Sequence, residues 1–402
     1  MRIGIFTDQY YPSVSGLVTS IKMLYEGLEA MGHECFIFTS FNEKKIKPED
    51  KEELYKKKII NIKGVPYPFK NIKDYRFTIF TRKYIKMIKK YNLDIIHVQT
   101  EYSISKIAIK ASKKLHIPIV HTLHTSWKDY IQYIFPTLDK HFHKALMKIE
   151  RNFFTKPISE SSEIEIVPTK KVLQDLDQYG MKEEKIRIVP TGIEVSRFDK
   201  KYVTKEQIID LRRSYKIDDT TLLFVYIGRT SKEKNIETLI EAFTYALNGK
   251  DAKLMIVGGG PDLVDLKQSA DDYVVSKQVI FTGQVPWDNV PLYYHAAQMF
   301  INASQSETQG LTYIEALSTE TPVLVQKDLV LEDLIIDGYN GYIFDGIDDL
   351  VTKLQYIYEN KEELNKLKEN TLPSIQKYSK EEFTKNVLAV YDEAIENYKK
   401  RA

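Results

Sequence analysis

Short apolar, β-branched runs alternate with segments of helical spacing along almost the whole chain. The first half carries "IGIF" (3–6), "ECFIFT" (34–39), "KIINI" (58–62), "DIIHVQ" (94–99), "IPIVHT" (117–122), "EIEIVPT" (163–169) and "KIRIVPT" (185–191). The second carries "TLLFVYIG" (221–228), "AKLMIVGGG" (252–260), "VIFTGQV" (279–285), "MFINAS" (299–304) and "TPVLVQ" (321–326). Continuous apolar runs of this length read as strands buried on both faces. Helix-patterned spacers between them make βαβ units and parallel sheets. Two successive series predict an α/β chain of two doubly wound, Rossmann-like domains. The domains are read as residues 1–200 and 201–384, with a linker over 192–207, "GIEVSRFDKKYVTKEQ". A last helix, about 380–400, has either domain to pack on, and its 385–402 part is expected back on the first. Ligands of such sheets bind outside the carboxyl ends of the strands, so the strand ends hold the candidates for chemistry.

Glycines collect at those ends. After the first strand comes "TDQYYPSVSGLVTSIKML", in which Ser15 and Gly16 open a helix whose N–H groups and dipole suit a phosphate. A simple strand-to-helix turn explains the same residues. "YIGRTSKEKNIETL" puts Arg229 and Lys234 just past a strand, where two cations suit a diphosphate; either alone reads as surface charge. "IVGGGPD" (256–262), with Gly259 at its centre, is a tight turn or room for a ligand, and Gly283 sits in a further turn of this kind. "IVHTLHTSWKDYIQY" carries His121 and His124. His121 reads as structural, whereas His124 is suited to orient a nucleophile or a sugar hydroxyl.

"SETQGLTYIEA" (306–316) sets Glu307 and Glu315 eight residues apart around Gly310. A helix starting near Thr308–Gly310 leaves Glu307 in the preceding loop and Glu315 about one and a half turns in. The pair reads evenly in two ways. One is a helix-dipole acid plus a surface glutamate. The other is two acids on one ligand, Glu307 toward a sugar and Glu315 toward a ribose, with the N–H groups of Gly310 and Leu311 toward a phosphate.

Composition narrows the class. The chain has 402 residues, 43% hydrophobic and 28% charged, which fits two globular domains. Its one cysteine, Cys35, permits no intrachain disulfide and no Cys-based zinc site, and points to a reducing, intracellular setting. The N-terminus lacks a signal peptide's apolar core, and no run approaches the roughly 18 apolar residues of a membrane span. No His/Asp/Glu set has metal-ligand spacing, so no metal is expected. Neither GxGxxG nor GxxxxGK[ST] occurs, which disfavours a dinucleotide enzyme and a P-loop ATPase. The net charge of +2 conceals an asymmetry: residues 1–200 hold 35 Lys+Arg against 24 Asp+Glu, the remainder 23 against 32. The acidic second half and the missing recognition motif weigh against nucleic acid as a partner.

These segments together resemble a family. "SETQGLTYIEA" is similar to the E-x7-E signature of retaining nucleotide-sugar glycosyltransferases with the GT-B fold. "GRTSKEKN" resembles that family's Arg/Lys pair, "PSVSGLVTSI" its N-terminal phosphate loop and "HTLHTS" its His-bearing loop, all in the expected order. The resemblance spans essentially the whole chain. It implies two Rossmann-like domains with a cleft between them. Arg229 and Lys234 would neutralise the donor diphosphate, and Glu315 would hold the ribose. Glu307 would lie by the transferred sugar, with Thr308, Gln309, Gly310 and Leu311 lining its hydroxyls and phosphate. Gly16 would close over the diphosphate, and His124 would bond the sugar and orient the acceptor. The family needs no metal and no other cofactor. One departure is Ser15-Gly16, where many members carry Gly-Gly.

Within the family, "SETQGLTYIEAL" and "HTLHTSWKDYIQY" look most like the bacterial diacylglycerol glucosyltransferases. That resemblance implies glucose transfer from UDP-glucose to 1,2-diacylglycerol by a cytoplasmic protein held peripherally on the inner face of the cell membrane. A soluble acceptor, another lipid or another sugar is the alternative. The residues offer separate support in Phe69–Tyr91, which holds eight Lys/Arg and one Asp among aromatic and aliphatic residues. Lys73, Arg76, Arg82, Lys83, Lys86, Lys89 and Lys90 are its candidate membrane contacts. Tyr84, Ile85 and Ile88 supply the apolar side of a basic amphipathic helix able to lie in an anionic bilayer interface. "HKALMKIERNFFTK" (143–156), with Phe153 and Phe154, is a second such candidate. Both also read as solvated helices packed on a sheet.

Overall fold

The computed structural model describes residues 1–10, 15–41, 46, 58–66, 76–78, 81–124, 136–175 and 181–401, without the side chains of 77, 81, 136–141, 143, 172 and 175. The chain falls into two compact units, Met1–Gly192 with Lys380–Ala402, and Ile193–Ser379.

In the first unit the strands are β1 Arg2–Phe6, β2 Glu34–Thr39, β3 Ile59–Asn61, β4 Val65–Pro66, β5 Arg76–Phe77, β6 Ile95–Val98, β7 Ile119–Thr122, β8 Ile164–Val167 and β9 Ile186–Ile188. Seven form one parallel sheet in the order β3-β2-β1-β6-β7-β8-β9, and β4 and β5 make a small antiparallel hairpin that the apolar pattern did not indicate. The central strands β1, β6, β7 and β8 are buried along nearly their whole length, because helices cover both faces. Helix Gly16–Ala30 covers one face through Ile21, Leu24, Tyr25 and Leu28. Against it packs the C-terminal helix Lys380–Arg401, which contributes Phe383, Val387, Val390, Tyr391 and Ala394. On the other face lie helices Thr81–Ile88 and Ser103–Leu115.

The second unit has β10 Leu222–Ile227, β11 Ala252–Val257, β12 Val279–Gly283, β13 Met299–Asn302, β14 Val323–Gln326 and β15 Gly341–Phe344. They form a parallel sheet in the order β12-β11-β10-β13-β14-β15, with one apolar core on each face. The doubly wound α/β architecture expected from the pattern is the one that forms. The apolar pattern did not indicate β15, which is only four residues long, opens on a glycine and is half-buried at its two middle positions. The strand order reverses direction at β10 and β13, so the loops that follow these two strands part and leave a crevice at their carboxyl ends.

Candidate active site

The loop after β10 carries Arg229 and Lys234; the loop after β13 carries Glu307. The structure brings them together at the switch point. Lys234 Nζ donates to Glu307 Oε1 at 2.6 Å, with both side chains 19% exposed. Arg229 donates to Glu233 Oε1 at 2.7 Å, and the Ser231 hydroxyl donates to the same oxygen at 2.6 Å. Burial acts to raise the Glu233 carboxyl, yet the Ser231 bond, its own backbone N–H and Arg229 hold it below its ordinary value. The two loops are tied by Ser306, whose hydroxyl donates to the Glu233 carbonyl at 3.3 Å. Ion pairs this close to solvent are worth about 0–1 kcal/mol. Both cations can therefore exchange their acids for another anionic partner at little cost.

Glu307 lies in the loop and Glu315 in helix Leu311–Ser318, as the spacing predicts. Gly310 caps that helix at φ +73°, and a Cβ there would sit 2.4 Å from the Tyr313 ring, so the turn admits only glycine. Glu315 is partly buried beneath it. Tyr294 donates to its Oε2 at 3.1 Å. Burial pushes the carboxyl up to about 7 against that bond and the positive charge of Arg197. Arg197 is clamped over the Trp287 ring, with its NH2 group 2.9 Å from Asp288. Gln309 is buried, and Thr308 and Leu311 are half-buried.

The triple glycine resolves into different jobs. Gly258, at φ +139°, and Gly260 pack so tightly on the loop after β10 that a Cβ would meet the Gly228 and Thr230 carbonyls at 1.9 and 2.2 Å. Gly259 has ordinary room, and its carbonyl accepts from Thr230 N. Gly283 accepts from Gly258 N at 3.0 Å.

Sequence reasoning missed several neighbours of this site: Glu233, Ser231, Tyr294, Arg197, and the buried hydroxyls of Thr230 and Tyr313. Those two hydroxyls have no hydrogen-bond partner among the described residues. Thr230 and Ser231 follow a strand end and were legible in principle. Arg197 and Tyr294 reach Glu315 from sequence-remote segments, and no local pattern announces them.

Gly16 and His124 belong to the first unit. Gly16 begins its helix, and Ser15 accepts from Val18 N at 3.4 Å, so part of the helix terminus is capped internally. Residues 11–14 of the glycine-bearing loop and 125–135 of the His-bearing loop lie outside the described residues. His124 follows β7 and is held by Gln99, whose Oε1 accepts from Nε2 at 2.6 Å. Gln99 in turn donates to His97 at 3.0 Å, and Tyr391 of the C-terminal helix lies 2.7 Å from the other His97 nitrogen. Burial and the neighbouring His121 push His124 down to about 3, so it is a neutral imidazole.

His121 is structural, as read. It is fully buried between Glu165, 2.6 Å from Nδ1, and Glu101, 3.2 Å from Nε2. Burial alone would lower it; the Glu165 charge and the two carboxylate bonds override that and raise it to about 10. A ring protonated at both nitrogens has no lone pair for a metal. Among the described residues no group of three or more His, Cys, Asp or Glu could hold a metal ion.

Of the two readings of the first basic helix, the apolar side takes the one in which it packs on the sheet. Tyr84, Ile85 and Ile88, expected to face a bilayer, are buried in the core with Phe6, Phe36, Ile104 and Ile107. The short helix has only one apolar stripe, and the sheet takes it. Arg82, Lys83, Lys86, Lys89 and Lys90 remain exposed. Arg76 lies in β5 and donates to Gly64 O at 2.9 Å, while Lys73 lies outside the described residues. No helix among the described residues is long and apolar enough to cross a membrane.

Two family models match the chain: Glycosyltransferase Family 4 over residues 14–197 and Glycosyl transferases group 1 over 207–372. An alpha-monoglucosyldiacylglycerol synthase of Acholeplasma laidlawii is 36% identical over 100% of this chain and 99% of its own. One of the same name from Streptococcus pneumoniae is 37% identical over 98% of this chain and 86% of its own. Among solved structures, HepE of Anabaena in complex with UDP superposes with a TM-score of 0.76 at 15% identity, covering 98% of this chain and 100% of that one. Sucrose-phosphate synthase of Thermosynechococcus elongatus does so with 0.73 at 19%, covering 98% of each.

Proposed function

The chain belongs to the GT-B glycosyltransferases, in the branch of the alpha-monoglucosyldiacylglycerol synthases, and from that premise we propose that it transfers glucose from UDP-glucose to 1,2-diacylglycerol with retention at the anomeric carbon. The observation that carries this reading is the Lys234–Glu307 pair, set with Arg229 at the switch point of the second sheet. Arg229 and Lys234 exchange Glu233 and Glu307 for the donor diphosphate. Glu315, once ionised, accepts hydrogen bonds from the ribose hydroxyls. Glu307, released from Lys234, takes a hydroxyl of the glucosyl group, and Thr308, Gln309, Gly310 and Leu311 surround that group and its phosphate. Gly259 and Gly283 line the donor side. Gly16 offers backbone N–H to the diphosphate, and neutral His124, oriented by Gln99, bonds sugar and acceptor.

In the chemical step the bond from the anomeric carbon to the UDP oxygen breaks, and one forms to the acceptor hydroxyl oxygen on the same face. The hydroxyl proton passes to the departing phosphate. Arg229 and Lys234 stabilise the charge that develops there, so no metal and no organic cofactor takes part. The acceptor is a bilayer lipid, and the protein works as a peripheral protein on the inner face of the cell membrane. The exposed Arg82, Lys83, Lys86, Lys89 and Lys90 support that reading, since each basic residue near an anionic surface is worth about 1 kcal/mol. The test is a product assay with UDP-glucose and diacylglycerol in phosphatidylglycerol vesicles. An α-linked monoglucosyl lipid of the expected mass is the predicted product; transfer only to a soluble acceptor, or from another sugar nucleotide, overturns it.

A further inference from the structure

Helix Pro136–Glu150 continues through a π turn, Arg151–Thr155, into helix Lys156–Ser161. One side of this segment is sealed. Met147, Glu150, Thr155 and Ile158 are buried, the Thr155 hydroxyl bonds Glu150, and the Phe154 ring lies edge-on to Tyr102 at 5.9 Å with Lys106 Nζ 5.1 Å away. The other side is open. Phe142, Ile149 and Phe153 are 57, 51 and 62% exposed, and Ala145 between them is exposed too. Phe142 sits at a break in the helix, at φ −128° and ψ 19°, so helical spacing joins Ala145 and Ile149 on one stripe, with Phe153 following in the π turn and Phe142 exposed at the break. Within the π turn Phe154 is half-buried and Phe153 exposed. π turns inside helices occur frequently at functional sites.

The charges flanking the stripe are of one sign. Lys144, Lys148 and Lys156 are exposed and Arg151 is half-buried. Glu150, the only acid from 142 to 156, is buried, and desolvation pushes it up to about 8, so it is neutral near pH 7. Glu160 lies beyond the stripe, 3.6 Å from Lys156. A second copy on this face would set like charges against each other, whereas an anionic headgroup layer complements them and the acyl boundary beneath accepts the rings.

We propose that the exposed apolar face of Ala145, Ile149 and Phe153, with Phe142 at the break before it, is the element that inserts into an anionic phospholipid bilayer, with the basic residues beside it on the headgroups. The inference rests on the membrane-surface reading of the proposed function. It assigns apolar insertion to this segment and leaves the helix Thr81–Ile88 an electrostatic role only.

The experiment uses the full chain. Cys35 is buried, so an environment-sensitive thiol probe reacts at an introduced cysteine: Ile149→Cys, Phe153→Cys, or, as a control in the other unit, the 76% exposed Val264→Cys. On phosphatidylglycerol/phosphatidylcholine vesicles the probes at 149 and 153 shift to the blue and are quenched by lipids labelled in the acyl chain, while that at 264 is unchanged. The double variant Ile149→Ser/Phe153→Ser keeps the wild-type melting temperature and loses about tenfold or more in vesicle affinity at high salt, as removal of two inserted apolar side chains requires. Sedimentation with vesicles while both probes stay in water overturns the proposal and leaves the membrane-surface reading standing. Failure to sediment at all overturns both. A blue shift without vesicles that grows with protein concentration assigns the stripe to a second copy and overturns it as well.

Discussion

Both units gather charged residues at the carboxyl ends of a parallel sheet, and they treat them in opposite ways. In the first unit the charges are closed in. His121 is fully buried between Glu101 and Glu165. Asp8, after β1, accepts from the Ser103 and Ile104 N–H groups and the Thr100 and Ser103 hydroxyls, which pins the start of helix Ser103–Leu115; burial raises its carboxyl to about 6 despite those bonds. In the second unit Lys234, Glu307, Arg229 and Glu233 stay 19 to 46% exposed in short ion pairs. A charge that is fully desolvated is committed to its partner, because breaking the pair leaves the other group stranded. A charge at the rim of water exchanges partners cheaply. Exposure thus separates charges that hold the fold from charges that a ligand can recruit.

The hardest test of that division is His121→Ala. It strands two buried carboxylates and is expected to cost about 3–5 kcal/mol, a fall in melting temperature on the order of 10 °C for a unit of this size. The sign of its pH dependence is fixed. The folded value near 10 lies above the unfolded 6.5, so the stabilisation is complete below pH 6.5 and is lost as pH rises through about 10. Thermal melts from pH 6 to 10.5 should show a decline in the wild type that His121→Ala flattens. Lys234→Ala and Glu307→Gln should do the reverse. Under the proposed function each lowers turnover of UDP-glucose by about 10²-fold or more, while melting stays within a few degrees because a pair that still reaches water is worth about 0–1 kcal/mol. A variant of either residue with near-normal turnover removes it from the site. The exposed Lys86, Lys89 and Lys90 are the far end of the same scale. Their joint change to Ser weakens binding to anionic vesicles by up to about 10²-fold at three basic residues. The difference vanishes in molar salt as the Debye length falls to about 3 Å, and UDP-glucose hydrolysis is unchanged. A salt-independent loss breaks the electrostatic account.

The strands were legible because parallel sheets demand continuous apolar runs, and the loop acid and helix acid of "SETQGLTYIEA" because helix periodicity separates them. What local pattern does not carry is which face of an amphipathic segment the tertiary fold consumes. The two basic segments look alike in sequence, yet Tyr84, Ile85 and Ile88 are spent on the core while Ile149 and Phe153 stay outside. The difference lies in the neighbours: the first segment packs its apolar side over the sheet with helix Ser103–Leu115, whereas the second buries Met147, Glu150, Thr155 and Ile158 and leaves Ile149 and Phe153 uncovered. The partners of Glu315 were hidden for a related reason. Arg197 and Tyr294 are 118 and 21 residues away in the chain, and only the fold brings them near.

Glu315 stands between the two kinds of charge, and its titration is the finest probe of the division. It is partly buried, with a carboxyl pushed up to about 7. Under the proposed function the ribose hydroxyls donate to the ionised form. Below pH 7 donor binding must therefore expel a proton, and the apparent KM for UDP-glucose should rise by up to tenfold per pH unit. Stability runs the other way. The folded value exceeds the ordinary 4.5, so the folded protein holds the proton more tightly, and this group's contribution falls as pH rises from 4.5 through about 7. Glu315→Gln removes the titration: its KM is high at every pH and lacks the rise below 7, and its melting temperature loses the matching slope. A Glu315→Gln variant that keeps the wild-type KM profile would mean that another group reads the ribose and that Glu315, like His121, serves the fold.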